Sequence, residues 1–452
     1  MPPFRDESVF VIATGSQTTR VQYGLPESLT PAQIVVPTRV YRMGESGFSM
    51  EGADSDAIYP IKEGVIEDLH ALQYLIESLY KGTTKFAPEV VPFAPILITC
   101  NSEWRPKQIE SIVAHMFNNL RVPAVTVIPE SLAAVFSYGT PTACVVNIGH
   151  EKTEVTPVID FCIVETAQTV AHGVGGKLIN DELVKLLPNL KPSQIEELKR
   201  SKIYEIPSDT SMSFFGEPSA PATSSLEDEG IVDVAAIVTS DNARELLAQR
   251  EQAKQNGTQS EPKNMELPRN SFVDSNGNRI EVGTERFKGS ETLLEQLSQA
   301  VGSTITKLDD ISKRGDCWDN IVLVGGSTAI KGFVDAVLLS LQEHFIINRA
   351  NTYSEIPSGL NTPGYSTPVS GGYGQLHTMG HGQVPTNIKI ARMAEYFLGW
   401  KGHTWEDTQF LGCQIAAKQI FTPGIASIDG AYISKEEFAE RGAKHIWTLG
   451  LF

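Results

Sequence analysis

The stretch N-I-V-L-V-G-G-S-T-A-I-K-G at 320–332 has the pattern of a strand delivered onto a phosphate or nucleoside. Ile321 to Val324 are four consecutive apolar residues that end in the Gly325-Gly326 pair, followed by Ser327 and Thr328. A buried strand that turns into a helix through small residues aims backbone N–H groups at an anion. Glycine lets the chain approach a ligand where a Cβ would clash. The same pattern serves as a plain packing turn, so the pocket reading needs companion loops. Two segments offer them. One reads strand, small-residue turn, strand around Gly15-Ser16-Gln17-Thr18-Thr19, and 143–158 repeats the design around Asn147-Ile148-Gly149-His150. The first tip holds glycine and hydroxyls but no acid and no lysine. Glu130, in the turn Pro129-Glu130-Ser131, reads as a first-turn acid favoured by the helix dipole. His377 and His381 have a metal-like spacing, but they sit in a Gly-rich loop without a third ligand, so no metal site is expected.

The elements that must position these residues alternate along the chain. Helical spacing of Leu69, Leu72, Leu75, Ile76 and Leu79 predicts a helix over 67–80, followed by a short buried strand at 96–99. A helix is expected over 105–120 after Ser102 as its cap, with Pro106 in the first turn. A strand at 125–128 leads into a helix over 132–138. A strand-helix-strand rhythm means parallel pairing in an α/β layer. Two hairpins of one design, each opening such a layer, indicate a duplicated architecture around a central cleft. A glycine turn opens an amphipathic helix within 172–187, and a short helix is expected over 191–204. Asn276-Gly277 is a strong hairpin turn. Helices starting at Ser290 and Ala300 lead to the Gly-Gly strand, and later ones are expected over 411–420 and 435–441. Segment 25–58 is rich in turn formers and reads as a small mobile excursion. Segment 205–270 is rich in Ser, Pro, Glu, Gln and Asn and segment 351–385 in Gly, Ser, Thr and Pro, and both read as flexible insertions, only 245–255 looking helical. The acidic Glu227 to Glu229 patch reads as solvated loop. Trp104, Trp400 and Trp405 are either interface anchors or core residues.

The bulk numbers narrow the function classes. At 452 residues, 41% of them hydrophobic, the chain needs two or more lobes to bury its apolar content. A net charge of -17 without a basic tract argues against direct nucleic-acid binding, which needs clustered Lys and Arg. The five cysteines are scattered without C-x-x-C pairs, so neither a disulfide framework nor zinc is expected, and a reducing compartment is. No run approaches the roughly 20 apolar residues of a membrane span. A soluble, intracellular protein with protein or small-molecule partners is expected.

In order along the chain, the blocks Tyr59-Pro60-Ile61-Lys62-Glu63-Gly64, Pro129-Glu130-Ser131-Leu132-Ala133-Ala134, Gly175-Gly176-Lys177-Leu178-Ile179-Asn180-Asp181, Gly283-Thr284-Glu285-Arg286-Phe287, Leu323-Val324-Gly325-Gly326-Ser327-Thr328 and Ile433-Ser434-Lys435-Glu436-Glu437-Phe438 resemble actin and the actin-related proteins. The tip Gly15 to Thr19, the Val21-Gln22-Tyr23-Gly24 that follows it, and the ending from Ile446-Trp447 are most similar to the ninth class of actin-related proteins, nuclear subunits of SWI/SNF and RSC-type remodellers. The resemblance implies an actin-like, ribonuclease H-like duplicated α/β fold of two lobes and four subdomains. The first lobe would span 1–139 with 391–452, and the second 140–390. It implies ATP and a divalent cation in the cleft, with a vestigial nucleotide site at Gly149, Gly325, Gly326, Ser327 and Glu130.

On that resemblance, Ile12 and Thr19 stand at the first hairpin's Asp and Lys positions, and Asn147 and His150 at the second hairpin's two Asp positions. An amide and an imidazole do not replace hard carboxylate ligands of Mg²⁺, so metal-assisted hydrolysis is not expected. The adenine-contacting helix maps poorly, near Glu197, Arg200 and Ser201. Two states of the cleft stay open: weak ATP binding without turnover, and an empty structural cleft. The resemblance implies no cofactor chemistry but an interaction role: pairing with a second actin-related protein, gripping a long helix of a remodeller ATPase near Gly139 and the helix after Leu411, and meeting nucleosomes only indirectly, in the nucleus. The alternatives are an actin-like ATPase and a cytoskeletal filament protein, the latter disfavoured by the 43–53 loop and the two insertions.

Overall fold

The computed structural model describes residues 4–44, 47–84, 94–207, 264–347, 385, 387–394, 396–400, 407–422 and 430–451. Its first sheet is built from β1 (Phe10–Thr14), β2 (Thr18–Tyr23) and β3 (Ile34–Pro37). Beyond these lie β4 (Val40–Met43), β5 (Gly47–Ser49), β6 (Ala57–Ile58), β7 (Ile61–Lys62) and β8 (Val65–Ile66). Helix α1 (Leu69–Thr84), β9 (Ile96–Cys100), α2 (Pro106–His115), β10 (Ala124–Pro129) and α3 (Glu130–Tyr138) follow. The second half opens with β11 (Ala143–Ile148), β12 (Lys152–Ile159), β13 (Cys162–Ile163) and β14 (Thr169–His172), then α4 (Gly176–Leu186) and α5 (Pro192–Arg200). After the β15 (Asn270–Val273) and β16 (Arg279–Val282) hairpin come α6 (Glu291–Thr306), α7 (Ile311–Asp319), β17 (Ile321–Val324) and α8 (Phe333–Gln342). The chain closes with α9 (Thr408–Phe421), β18 (Ile433–Ser434) and α10 (Lys435–Arg441).

Two mixed sheets organise these elements. The first runs β18-β10-β9-β1-β2-β3; the second runs β13-β12-β11-β17, with β14 also on β12. In each, an antiparallel hairpin is joined to a parallel strand: β1 with β2 and β9, β11 with β12 and β17. Alternation along β1 decides what each face meets. Phe10 and Ile12 enter a core with Leu72, Leu75 and Ile76 of α1 and Ile109, Ile112 and Val113 of α2. Val9 and Val11 enter a second core with Leu132 to Val135 of α3, Phe410 to Ala417 of α9, and Val145, Val158, Val322 and Val324 of the other sheet. That shared core spans both sheets. A third cluster covers the far face of the second sheet with Leu293, Leu297 and Val301 of α6 and Phe333 and Val337 of α8.

Local chemistry sets the ends of elements. Helix α3 stops where Gly139 turns left-handed, φ 62°, with its N–H on the Val135 carbonyl. Helices α3 and α9 cross with almost no space between them: a Cβ on Gly412 would lie 1.7 Å from the Ala133 carbonyl oxygen. Only glycine permits that approach.

Several expectations are corrected. Helix α2 begins after Arg105, whose N–H is taken by the Gln108 side chain at 3.0 Å, so Ser102 is not its cap. The chain then continues as a π-helical turn, Met116–Leu120. The expected helices from Ser290 and Ala300 are one helix, α6. Segment 25–58 contains β3, which joins the first sheet, and β4, β5 and β6, which form a small sheet of their own. Helix α9 packs into the interior, with Phe410, Leu411, Cys413, Ala416 and Ala417 buried. Trp104 and Trp400 are buried core residues; the Trp104 indole donates to the Gly64 carbonyl at 3.1 Å. His377, His381, Trp405, Glu227 to Glu229, the 245–255 helix and most of both insertions lie outside the described residues. The described cysteines are free thiols, four of them buried. Among the described residues no helix is long and apolar enough to cross a membrane.

Candidate functional site

The two hairpin tips are copies of one turn. Gly15 N–H donates to the Thr18 carbonyl at 3.0 Å, and Gly149 N–H to the Lys152 carbonyl at 2.9 Å. Aligning these glycines matches Ala13 with Asn147 and Arg20 with Glu154, pairs that face each other across their hairpins in the same register. This corrects the first hairpin by one residue. Ile12 is fully buried in the α1–α2 core. Thr19 is fully buried too, its hydroxyl 2.8 Å from that of Thr38. The positions equivalent to those of the second hairpin are therefore Ala13 and Arg20. A cation is present after all, but Arg20 Nε donates to Asp407 Oδ1 at 2.6 Å and Arg20 NH1 to the Thr18 hydroxyl at 3.2 Å.

The glycine wall is as tight as its sequence suggests. Gly325 has φ 103°, and a Cβ there would lie 2.2 Å from the Ile148 carbonyl oxygen. Gly326 opens a 3-10 turn, Gly326–Ala329, and a Cβ on it would meet nothing within 4 Å. Gly149 lies between them and α4: its carbonyl accepts from Gly176 N–H at 2.9 Å. A Cβ on Gly176 would lie 2.9 Å from Ser327 Oγ and 3.4 Å from Lys199 Nζ. The structure thus brings Gly149, Gly325 and Ser327 together. Of the helix that follows, Lys199 is what reaches this wall. It donates to the Gly176 carbonyl at 3.1 Å and pairs with Glu196 at 2.7 Å. Glu197, Arg200 and Ser201 turn elsewhere, to Ser275 N–H, Glu196 and the Leu198 carbonyl. Burial, and then the Lys199 ammonium, hold the His150 imidazole below its ordinary range, so it is neutral at neutral pH.

Glu130 begins α3 and faces the second sheet. Its Oε2 accepts from Asn147 Nδ2 at 2.8 Å and from Asn101 Nδ2 at 3.2 Å. Burial, then the neighbouring Glu154, push its carboxyl up to about 7 against the pull of the two amides and Lys152. Asn101 also donates to Glu154 Oε2 at 3.1 Å. Lys152 Nζ donates to Asn101 Oδ1 at 2.8 Å and to Glu103 Oε2 at 2.5 Å. Gln168 donates to Glu154 Oε1 at 2.7 Å, and His172 Nε2 lies 3.2 Å from Glu103 Oε1. Sequence reading missed Asn101, Glu103, Lys152, Glu154 and Arg20. Lys152 and Glu154 alternate onto one face of β12, but only the fold shows that this face is buried and its charges paired.

Magnesium takes hard oxygen ligands in near-octahedral geometry, chiefly carboxylates and water. The tips offer the Ala13 methyl, an Asn147 amide committed to Glu130, and a neutral His150 imidazole. The nearby carboxylates of Glu130 and Glu154 are already held by amides and Lys152. This set does not fit a resident magnesium–nucleotide. Among the described residues no group of three or more His, Cys, Asp or Glu is arranged to hold a metal.

Comparison with known proteins places these observations in a family. The actin family profile matches residues 4–356. The chain is 27% identical to the SWI/SNF and RSC complexes subunit arp9 of Schizosaccharomyces pombe, over 99% of this chain and 100% of that protein. It is 29% identical to actin-related protein 7 of Arabidopsis thaliana, over 42% of this chain and 54% of that protein. It is 26% identical to human actin-like protein 7B, over 61% of this chain and 58% of that protein.

Proposed function

Because the chain belongs to the actin family, we propose that it is a non-catalytic actin-related subunit of an ATP-dependent chromatin remodeller of the SWI/SNF or RSC type, working in the nucleus. The observation that carries this reading is the end-to-end likeness to the fission-yeast subunit, a protein named for both complexes. In this reading the lobes are 1–139 with 391–452, and 140–390. The strands of the first sheet lie between Phe10 and Ser434, those of the second between Ala143 and Val324. The vestigial nucleotide site comprises Gly149, Gly325, Gly326, Ser327 and Glu130. The subunit pairs with a second actin-related protein, and together they hold a long helix of the remodeller ATPase. Binding one state of that helix more tightly than another biases the motor without chemistry in this chain. Its net charge of -17 is in keeping with indirect contact to nucleosomes.

The absence of turnover rests on the donor set. A general base needs a positioned water and a metal-bound phosphate to act on, and Glu130 is engaged by two amides instead. Phosphate release from Mg-ATP is the test: the purified chain should give no release above buffer, and turnover at actin-like rates would overturn the non-catalytic reading.

A further inference from the structure

The residues of the cleft do not fit a magnesium–nucleotide, yet charge still converges there from both sheets. The first sheet contributes Asn101 and Glu103, just past β9, and Glu130, just past β10. The second contributes Asn147 from β11 and Lys152 and Glu154 from β12. The Lys152 and Glu154 side chains are only 8% and 6% exposed. Two acceptors hold the ammonium, Asn101 Oδ1 at 2.8 Å and Glu103 Oε2 at 2.5 Å, and Glu154 Oε2 forms a looser ion pair with it at 3.6 Å. The β7–β8 turn closes over it. Gly64, φ 81°, would place a Cβ 2.4 Å from Lys152 Cε and Nζ, and its carbonyl is fixed by the Trp104 indole. Asn101 then passes the connection on, its amide donating to Glu130 and Glu154 at once.

We propose that Lys152 is a built-in counter-ion that latches the two sheets across the cleft, holding the chain closed without nucleotide or divalent cation. The argument is electrostatic. Glu103, Glu154 and Glu130 approach one another from opposite sides, and carboxylates brought together out of water repel unless a positive charge lies between them. A bound cation is one solution; a lysine on the hairpin is another that cannot dissociate. Because the latch is covalently part of β12, closure is independent of nucleotide supply, and a partner that reads the closed shape always finds it. The proposal concerns the isolated chain and does not depend on which complex it enters.

Hydrogen–deuterium exchange of the full chain, without nucleotide, tests it through Lys152→Met and the milder Glu103→Gln. In Lys152→Met, exchange at the 63–66 turn, the 100–104 segment and the 148–153 tip should rise roughly tenfold or more, the factor expected for losing one charge-assisted hydrogen bond. The central strands β9 and β10 should stay protected, and the radius of gyration should increase. Glu103→Gln should open the same segments less, and the double variant should open them no further than Lys152→Met alone. Unchanged exchange at these segments in both single variants would overturn the latch. So would effects of the two substitutions that simply add; if Lys152→Met unfolds, Glu103→Gln alone decides, and unchanged exchange at these segments in it would overturn the latch.

Discussion

Glu130 is the residue whose ionisation the fold alters most legibly. Its carboxyl rises from the ordinary 4.5 to about 7, first through burial and then through Glu154. An acid with a raised native pKa gives stability that is full below its unfolded value and lost as pH climbs through the native one. The chain should therefore lose stability between pH 4.5 and 7 by an amount on the order of 3 kcal/mol from this group alone. Glu130→Gln should flatten that part of the stability profile, measured by urea unfolding at pH 5 and pH 8; an unchanged slope would contradict the assignment. The glycine pair gives a second residue-scale contrast. Gly325→Ala forces a Cβ against the Ile148 carbonyl in a left-handed backbone and should cost more than about 2 kcal/mol. Gly326→Ala has open space and should stay within about 0.5 kcal/mol of the parent in the same melts. The tight turn at Gly325 was suggested by Gly-Gly after four apolar residues, although that pattern alone also serves as a plain packing turn. Lys152 was not readable, because its meaning depends on Asn101 and Glu103, which reach it only through folding.

At the scale of elements, the duplicated hairpins were legible from their shared small-residue tips, but the register of the first was not. Side chains alternate along a strand, so an error of one residue exchanges the two faces. It put the core residues Ile12 and Thr19 where Ala13 and Arg20 stand. The consequence is chemical, since the first hairpin keeps a cation. Arg20 is paired with Asp407 at 2.6 Å, which ties β2 to the start of α9. The α3–α9 crossing was invisible in sequence, because Gly412 sits within an ordinary helical pattern and its partner Ala133 is distant in the chain. Gly412→Ala should lower stability by about 1–3 kcal/mol through overpacking, read by thermal unfolding. A neutral result would mean the helices separate without cost.

At the scale of the whole molecule, two sheets share a core of α3, α9 and valines from both sides, and a polar bridge closes the cleft above it. The two-lobed α/β architecture was legible from alternating strands and helices together with the repeated hairpin. The second half of α2, which passes into a π-helical turn, and the incorporation of β3 into the first sheet depend on packing that no local pattern encodes. In the proposed role the chain acts by being held and by holding, and a net charge of -17 fits protein partners better than DNA. The most direct measurement is purification of the tagged chain from its own nuclei, with the stoichiometry of everything that comes with it. The predicted result is a remodeller-type ATPase and a second actin-related chain in equal amounts with this one. Recovery of the chain alone, or as filaments that release phosphate from ATP, would contradict it.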